Sequence, residues 1–139
     1  MLEFALSSMV LMGFVFGLME LCIALFMYNT AAESARETSR WAAVRGTDCA
    51  NPNITDGSCP SGGGGATMAQ VQAHAKTLPG ASGMTVTVQW CDATGANCGT
   101  SNLPAGNNVK VNVAYTFASV PFVSKSTLTA SSTSESVIW

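Results

Sequence analysis

MLEFALSSMVLMGFVFGLMELCIALFMYNTAAESARETSRWAAVRG, residues 1–46, is the stretch whose reading decides the fold. Phe4 to Met19 carries no charge and is mostly Leu, Met, Phe and Val; Glu20 interrupts once, and the apolar run resumes from Leu21 to Tyr28. A run of this length is enough for a membrane-spanning helix. No proline occurs before Pro52, so one helix is expected from about Leu2 to Val44, on the order of 65 Å long at about 1.5 Å per residue. Its first part, 1–28, is apolar all round. Its second part is amphipathic, with Ala31, Ala32, Ala35, Ala42 and Ala43 as small packing positions. Glu33 with Arg36 and Glu37 with Arg40 fall at i,i+3 on the wetter side. Arg45 suits a helix C-terminus, and Gly46 suits the residue just past it.

Two acids in so apolar a segment, Glu3 at the tip and Glu20 within, suggest that this helix has a second home in the core of a multi-helix assembly. Glu3 and Glu20 stand about 25 Å apart along the axis. An unpaired carboxylate in hydrocarbon is costly, so Glu3 either is solvated at the membrane interface or finds a partner in such an assembly. Glu20 either contacts a neighbour in such a core, at an amine, at Ser7 or Ser8, or at Arg36 of another subunit, or it snorkels to the far interface of the membrane. Gly13 and Gly17 form a GxxxG pair, a spacing that lets helix backbones approach closely. Spanning helices ordinarily carry Lys or Arg on the cytoplasmic flank. Here the first basic residue is Arg36, so the expectation is a basic leader ahead of Met1, removed by cleavage.

The rest of the 139-residue chain is rich in Gly, Ser, Thr and Asn and weakly charged. Six Lys and Arg against eight Asp and Glu, a net charge of −2, leave no footprint for nucleic acid. Five cysteines occur. Cys22, inside the apolar helix, reads as a free, buried thiol. Cys49, Cys59, Cys91 and Cys98 allow three pairings, and the local one, Cys49 with Cys59 and Cys91 with Cys98, is expected because each pair brackets a turn-rich loop. Each bridge would add roughly 2.5–3 kcal/mol and places this part outside the cytoplasm. A zinc site is disfavoured, since no CxxC spacing occurs and the chain has one histidine. The Asn53-Ile54-Thr55 sequon is a weak glycosylation signal.

Residues 47–65 read as a glycine-rich loop. Thr67 and Gln70 then form a capping-box pattern, and Met68, Val71, Ala75 and Leu78 recur at helical spacing until Pro79-Gly80. His74 lies off that stripe and is expected at the surface. Met84, Val86, Val88 and Trp90 alternate with polar residues, and Val109, Val111, Val113, Tyr115 and Phe117 with mostly polar or small ones; each set reads as a half-buried strand. A third strand, roughly Ser126 to Trp139, alternates weakly and is rich in Ser and Thr; it suits a sheet edge or a face packed against other subunits, with Trp139 as its anchor. Trp41, Trp90, Tyr115, Phe117, Phe122 and Trp139 are expected as core and subunit-contact residues. The class is α+β: a long N-terminal helix packed on a three-to-four-stranded antiparallel sheet, with one short extra helix. The division is 1–46 for the helix and 47–139 for a small disulfide-stapled extracellular domain.

LEFAL at 2–6, followed by FGLMEL at 16–21, resembles the start of TadE-like proteins, the pseudopilins of tight-adherence systems in the type IV pilin superfamily. The order GMTVTVQW, VKVNVAYTFASVPF, LTASSTSESV is similar to the strand order of that family. In pilins the acid usually stands fifth in the mature chain; here it stands third. The resemblance implies a structural subunit that polymerises head-to-tail into an extracellular filament on the bacterial surface, and it gives Glu3 an assembly role, its carboxylate pairing with the N-terminal ammonium of Met1 on a neighbouring subunit. It also implies prior residence in the inner membrane, and a prepilin peptidase and membrane assembly machinery as partners. A minor pseudopilin that primes or caps another filament, and a single-span protein with an outer binding domain, remain alternatives. No catalytic motif is present: no GxSxG, HExxH, phosphate loop or calcium-loop spacing. No cofactor is expected.

Overall fold

A computed structural model of the chain describes residues 2–47, 65–81, 83–118 and 127–139. Helix α1 spans Leu2–Ala43, helix α2 Met68–Thr77, and four strands follow: β1 Met84–Cys91, β2 Cys98–Gly99, β3 Asn108–Ala118 and β4 Thr127–Val137. The strands form one antiparallel sheet in the order β2-β1-β3-β4. The expected α+β architecture is therefore present, and the fourth strand is the two-residue β2. It pairs with the end of β1, so that Cys91 lies opposite Cys98.

The alternation read from the sequence sets the faces of the sheet. Val86 lies opposite Val113, Val88 opposite Val111, and Trp90 opposite Val109. All six are buried, while Thr85, Thr87 and Gln89 between them are exposed. Helix α2 adds Val71 and Ala75 to this core over β1, and its capping box is formed as expected, with Thr67 Oγ1 accepting from the Gln70 amide at 3.3 Å. Gly80, at φ +79°, takes a left-handed turn after α2 that a side chain would resist, and it lies so close to Thr30 that a Cβ would sit 2.8 Å from the Thr30 methyl.

The lower half of α1 lies across β3 and β4 on small residues. Ala31, Ser34, Ala35, Thr38, Ser39, Ala42 and Ala43 are all buried there. Two hydroxyls of β4 reach the helix: Ser39 Oγ is 2.9 Å from Ser134 Oγ, and Ser136 Oγ donates to it at 3.0 Å. The Ser/Thr composition of β4 thus has a second cause beyond its edge position. Small hydroxyl side chains let a helix backbone settle close to the strand while their polar atoms stay paired.

Several expectations are corrected at the end of α1. The helix stops at Ala43, and Gly46 is not in a left-handed conformation. It is buried, and a Cβ there would overlap the Ile138 side chain, so close packing demands the glycine. Ile138, 1% exposed, anchors the final strand, whereas Trp139 is 82% exposed and contributes only a backbone hydrogen bond to the Ala43 carbonyl at 3.3 Å. Trp90 is buried as expected, and Trp41 and Tyr115 are half-buried against the core. The Phe117 side chain, Phe122 and the 53–55 sequon lie outside the described residues.

Candidate assembly helix

From Glu3 to Met19 every residue of α1 is exposed. Most of the large apolar side chains from Phe4 (81%) to Tyr28 (52%) are exposed among the described residues. Residues 4–28 of α1 are about 37 Å long at about 1.5 Å per residue, which exceeds the roughly 30 Å hydrocarbon thickness of a bilayer. The helix is long and apolar enough to cross a membrane, and none of its most apolar stretch is buried in the protein. So large an uncovered apolar surface is not stable in water and requires lipid or protein around it.

The surface is not uniform. Gly13, Gly17 and Glu20 fall at i, i+4 and i+7 and share one stripe. The stripe runs on through Ala24, Met27, Ala31, Ser34, Ala35, Thr38 and Ala42. From Gly13 to Ala42 it drifts by only about 20° at 3.6 residues per turn. Below Ala31 this small-residue stripe seats the helix on the sheet. Above it, a Cβ added at Gly13 or Gly17 would meet nothing within 4 Å. The same device of close backbone approach is in use in one half of the helix and uncovered in the other.

Glu3 stands exposed in the first turn of α1, where a carboxylate also complements the helix dipole. By helical geometry it lies about 100° around the axis from Glu20, about 80° from Gly13 and about 40° from Gly17, so the two acids face different sides of the helix. Glu20 is half-buried. Met1 lies outside the described residues. Cys22 is free, as expected, but exposed rather than buried. Glu33, Arg36, Glu37 and Arg40 are all exposed.

Residues 1–40 match the family model of TadE-like proteins.

The match covers the membrane-length part of α1 and most of its sheet-bound part, 40 of the 139 residues. The TadE-like segment thus contains Glu3, Gly13, Gly17 and Glu20 and stops short of Trp41. It is consistent with a pilin-related protein of tight-adherence systems, a structural rather than catalytic family. No curated protein and no solved structure matches the chain.

The part of the chain beyond the TadE-like segment contributes a staple. Cys91 and Cys98 are disulfide-bonded, and the enclosed turn is organised by Asp92. Its carboxylate accepts from Thr94 Oγ1 at 2.7 Å, the Ala96 amide at 2.9 Å and Asn97 Nδ2 at 2.7 Å. These hydrogen bonds, Thr94 and Asn97 foremost, hold its pKa down at about 2. Cys49 and Cys59 lie outside the described residues. Among the described residues no group of three or more His, Cys, Asp or Glu side chains is placed to hold a metal ion.

One cluster escaped the sequence reading. His74, expected in solvent, is half-buried and stacked on Trp41, with ring centroids 4.6 Å apart and planes 12° apart. The signal was available: His74 comes three residues after Val71 and four before Leu78, which places it beside the buried stripe of α2.

Proposed function

We propose that the protein is a pilin-like subunit that enters a membrane through residues 1–28 of α1 and then polymerises through that helix into an extracellular filament. The remainder, from about residue 47 onward, forms the outer coat. The carrying observation is the largely exposed apolar part of α1 with its small-residue stripe, inside a segment that matches TadE-like proteins. Lipid satisfies the apolar surface before assembly, and neighbouring helices replace lipid afterwards. Gly13 and Gly17 admit a neighbour's backbone. Glu3 pairs with the N-terminal ammonium of the adjoining subunit, which sets axial register, because an unpaired carboxylate among packed apolar helices is costly. Repetition of one head-to-tail contact yields an open polymer rather than a closed ring. A prepilin peptidase and inner-membrane machinery would process and extrude the subunit at the bacterial surface. The Cys91–Cys98 bridge suits an oxidising compartment.

The test is electron microscopy of material sheared from the cell surface, with N-terminal sequencing of its main band, for the wild type and Glu3→Ala. Filaments built mainly of this chain in the wild type, and their loss with membrane-retained monomer in Glu3→Ala, are expected. Absence of wild-type filaments, or this chain as a trace component of another subunit's filament, would move the reading to a minor pseudopilin. Normal filaments from Glu3→Ala would refute the pairing.

A further inference from the structure

Helix α2 meets the last turn of α1 through an aromatic stack. Trp41 of α1 is shared by two basic groups. The His74 imidazole from α2 stacks on its indole at 4.6 Å. The Arg45 guanidinium carbon lies 4.2 Å from the indole centroid, and Arg45 Nη1 donates to the Trp41 carbonyl at 3.3 Å. Nε2 of His74 is enclosed and has no hydrogen-bond partner among the described residues. On its other side α2 is tied to β1 by buried Val71 and Ala75 and by Gln72 Nε2 donating to the Val86 carbonyl at 2.9 Å.

We propose that the His74–Trp41 stack is a pH-responsive latch, which holds α2 on α1 while the imidazole is neutral and loosens that contact when it is protonated. A neutral imidazole can lie flat on an indole with one ring nitrogen unpaired at modest cost. The imidazolium must place an N–H at Nε2 where no acceptor waits, and must carry its charge into a partly dehydrated contact. Its stacking partner already has a guanidinium over it, so the added cation–π attraction is opposed by Arg45.

The charged groups around His74 are few. From α1 they are Glu37, which favours the cation, and Arg45, which opposes it. On α2 itself Lys76 is exposed two residues on, and β1 carries no charged side chain. Burial is the largest influence and outweighs Glu37, so the His74 pKa lies below the ordinary histidine value of about 6.5. With the folded value depressed, the unfolded chain takes up the proton first. The stabilisation is complete above about pH 6.5 and is lost as pH falls through that value towards the folded one. Opening would free the α1 side of α2 while Val71, Ala75 and Gln72 keep its other side on β1. The inference does not depend on filament formation.

His74 is the chain's single histidine, so full-length protein in detergent micelles, labelled at the histidine Cε1, gives one ring resonance to titrate. A midpoint below 6.5 is expected, with the Trp41 indole N–H signal shifting at the same midpoint. Thermal melts from pH 7.5 to 5.0 should show the melting temperature falling in the wild type. In His74→Phe, which keeps a stacked ring without a proton to gain, that fall should flatten. A midpoint at or above 6.5, or a Trp41 signal that ignores the titration, would overturn the proposal, and the wild-type measurement decides this even if the variant misfolds.

Discussion

Replacing Gly46 by alanine tests how tightly the end of α1 is locked to the final strand. The new methyl would overlap the Ile138 Cγ2 methyl, while its next neighbour, the Leu103 carbonyl at 3.7 Å, is at ordinary contact distance. Ile138 has little room to yield. It is 1% exposed and β-branched, and its backbone is held by bonds from its amide to the Asn107 carbonyl at 2.7 Å and from the Gly106 amide to its carbonyl at 2.9 Å. Overpacking of this kind costs about 1–3 kcal/mol. Because Gly46 does not have positive φ, the loss of unfolded-chain freedom returns about 0.4–1 kcal/mol. The net expectation is a loss of about 1–2 kcal/mol, roughly a fivefold to thirtyfold shift toward the unfolded state. Urea unfolding of detergent-solubilised protein, followed by tryptophan fluorescence, reads this as a lower midpoint at unchanged slope. Ile138→Ala removes the methyl that clashes, so the double variant should be less destabilised than the sum of the two single ones. A Gly46→Ala protein within about 0.5 kcal/mol of the wild type, or additive single effects, would refute the reasoning.

Two further outcomes are expected. Replacing Cys91 and Cys98 together by serine should cost about 2.5 kcal/mol by loop-closure entropy, seen as a lower urea midpoint, and an unchanged midpoint would show that the bridge adds nothing. Asp92, half-buried and held near 2 by Thr94 and Asn97, has a depressed folded value. The order it imposes on residues 92–97 should therefore be complete above its ordinary value of 3.8 and lost as pH falls towards 2. Amide resonances of Ala96 and Asn97 should report this in the wild type, and an Asp92→Asn protein should lack the transition; the same transition in both would count against it.

The elements themselves were legible in the sequence. Hydrophobic periodicity depends on local geometry, 3.6 residues per turn in a helix and 2 in a strand, so α1, α2, β1, β3 and the edge position of β4 followed from residue spacing alone. So did the Cys91–Cys98 bridge, because its partners bracket one turn. The match to TadE-like proteins falls on the very words, LEFAL and FGLMEL, that carried the resemblance. The errors share a cause as well. Gly46 and His74 were judged by their neighbours in the chain, whereas each is decided by a residue far away in sequence, Ile138 and Trp41.

The sequence by itself determined that a membrane-length apolar helix precedes a small disulfide-stapled α+β region, since composition and period require no knowledge of what lies opposite. Only the tertiary structure decided that one small-residue stripe, from Gly13 to Ala42, seats the helix on the sheet at its lower end and stands uncovered at its upper end. It also decided that Ser39 meets Ser134 and Ser136, and that His74 lies on Trp41 beside Arg45. Contacts between residues dozens of positions apart arise when packed faces compete for the same space, and no local pattern encodes which atoms will meet there.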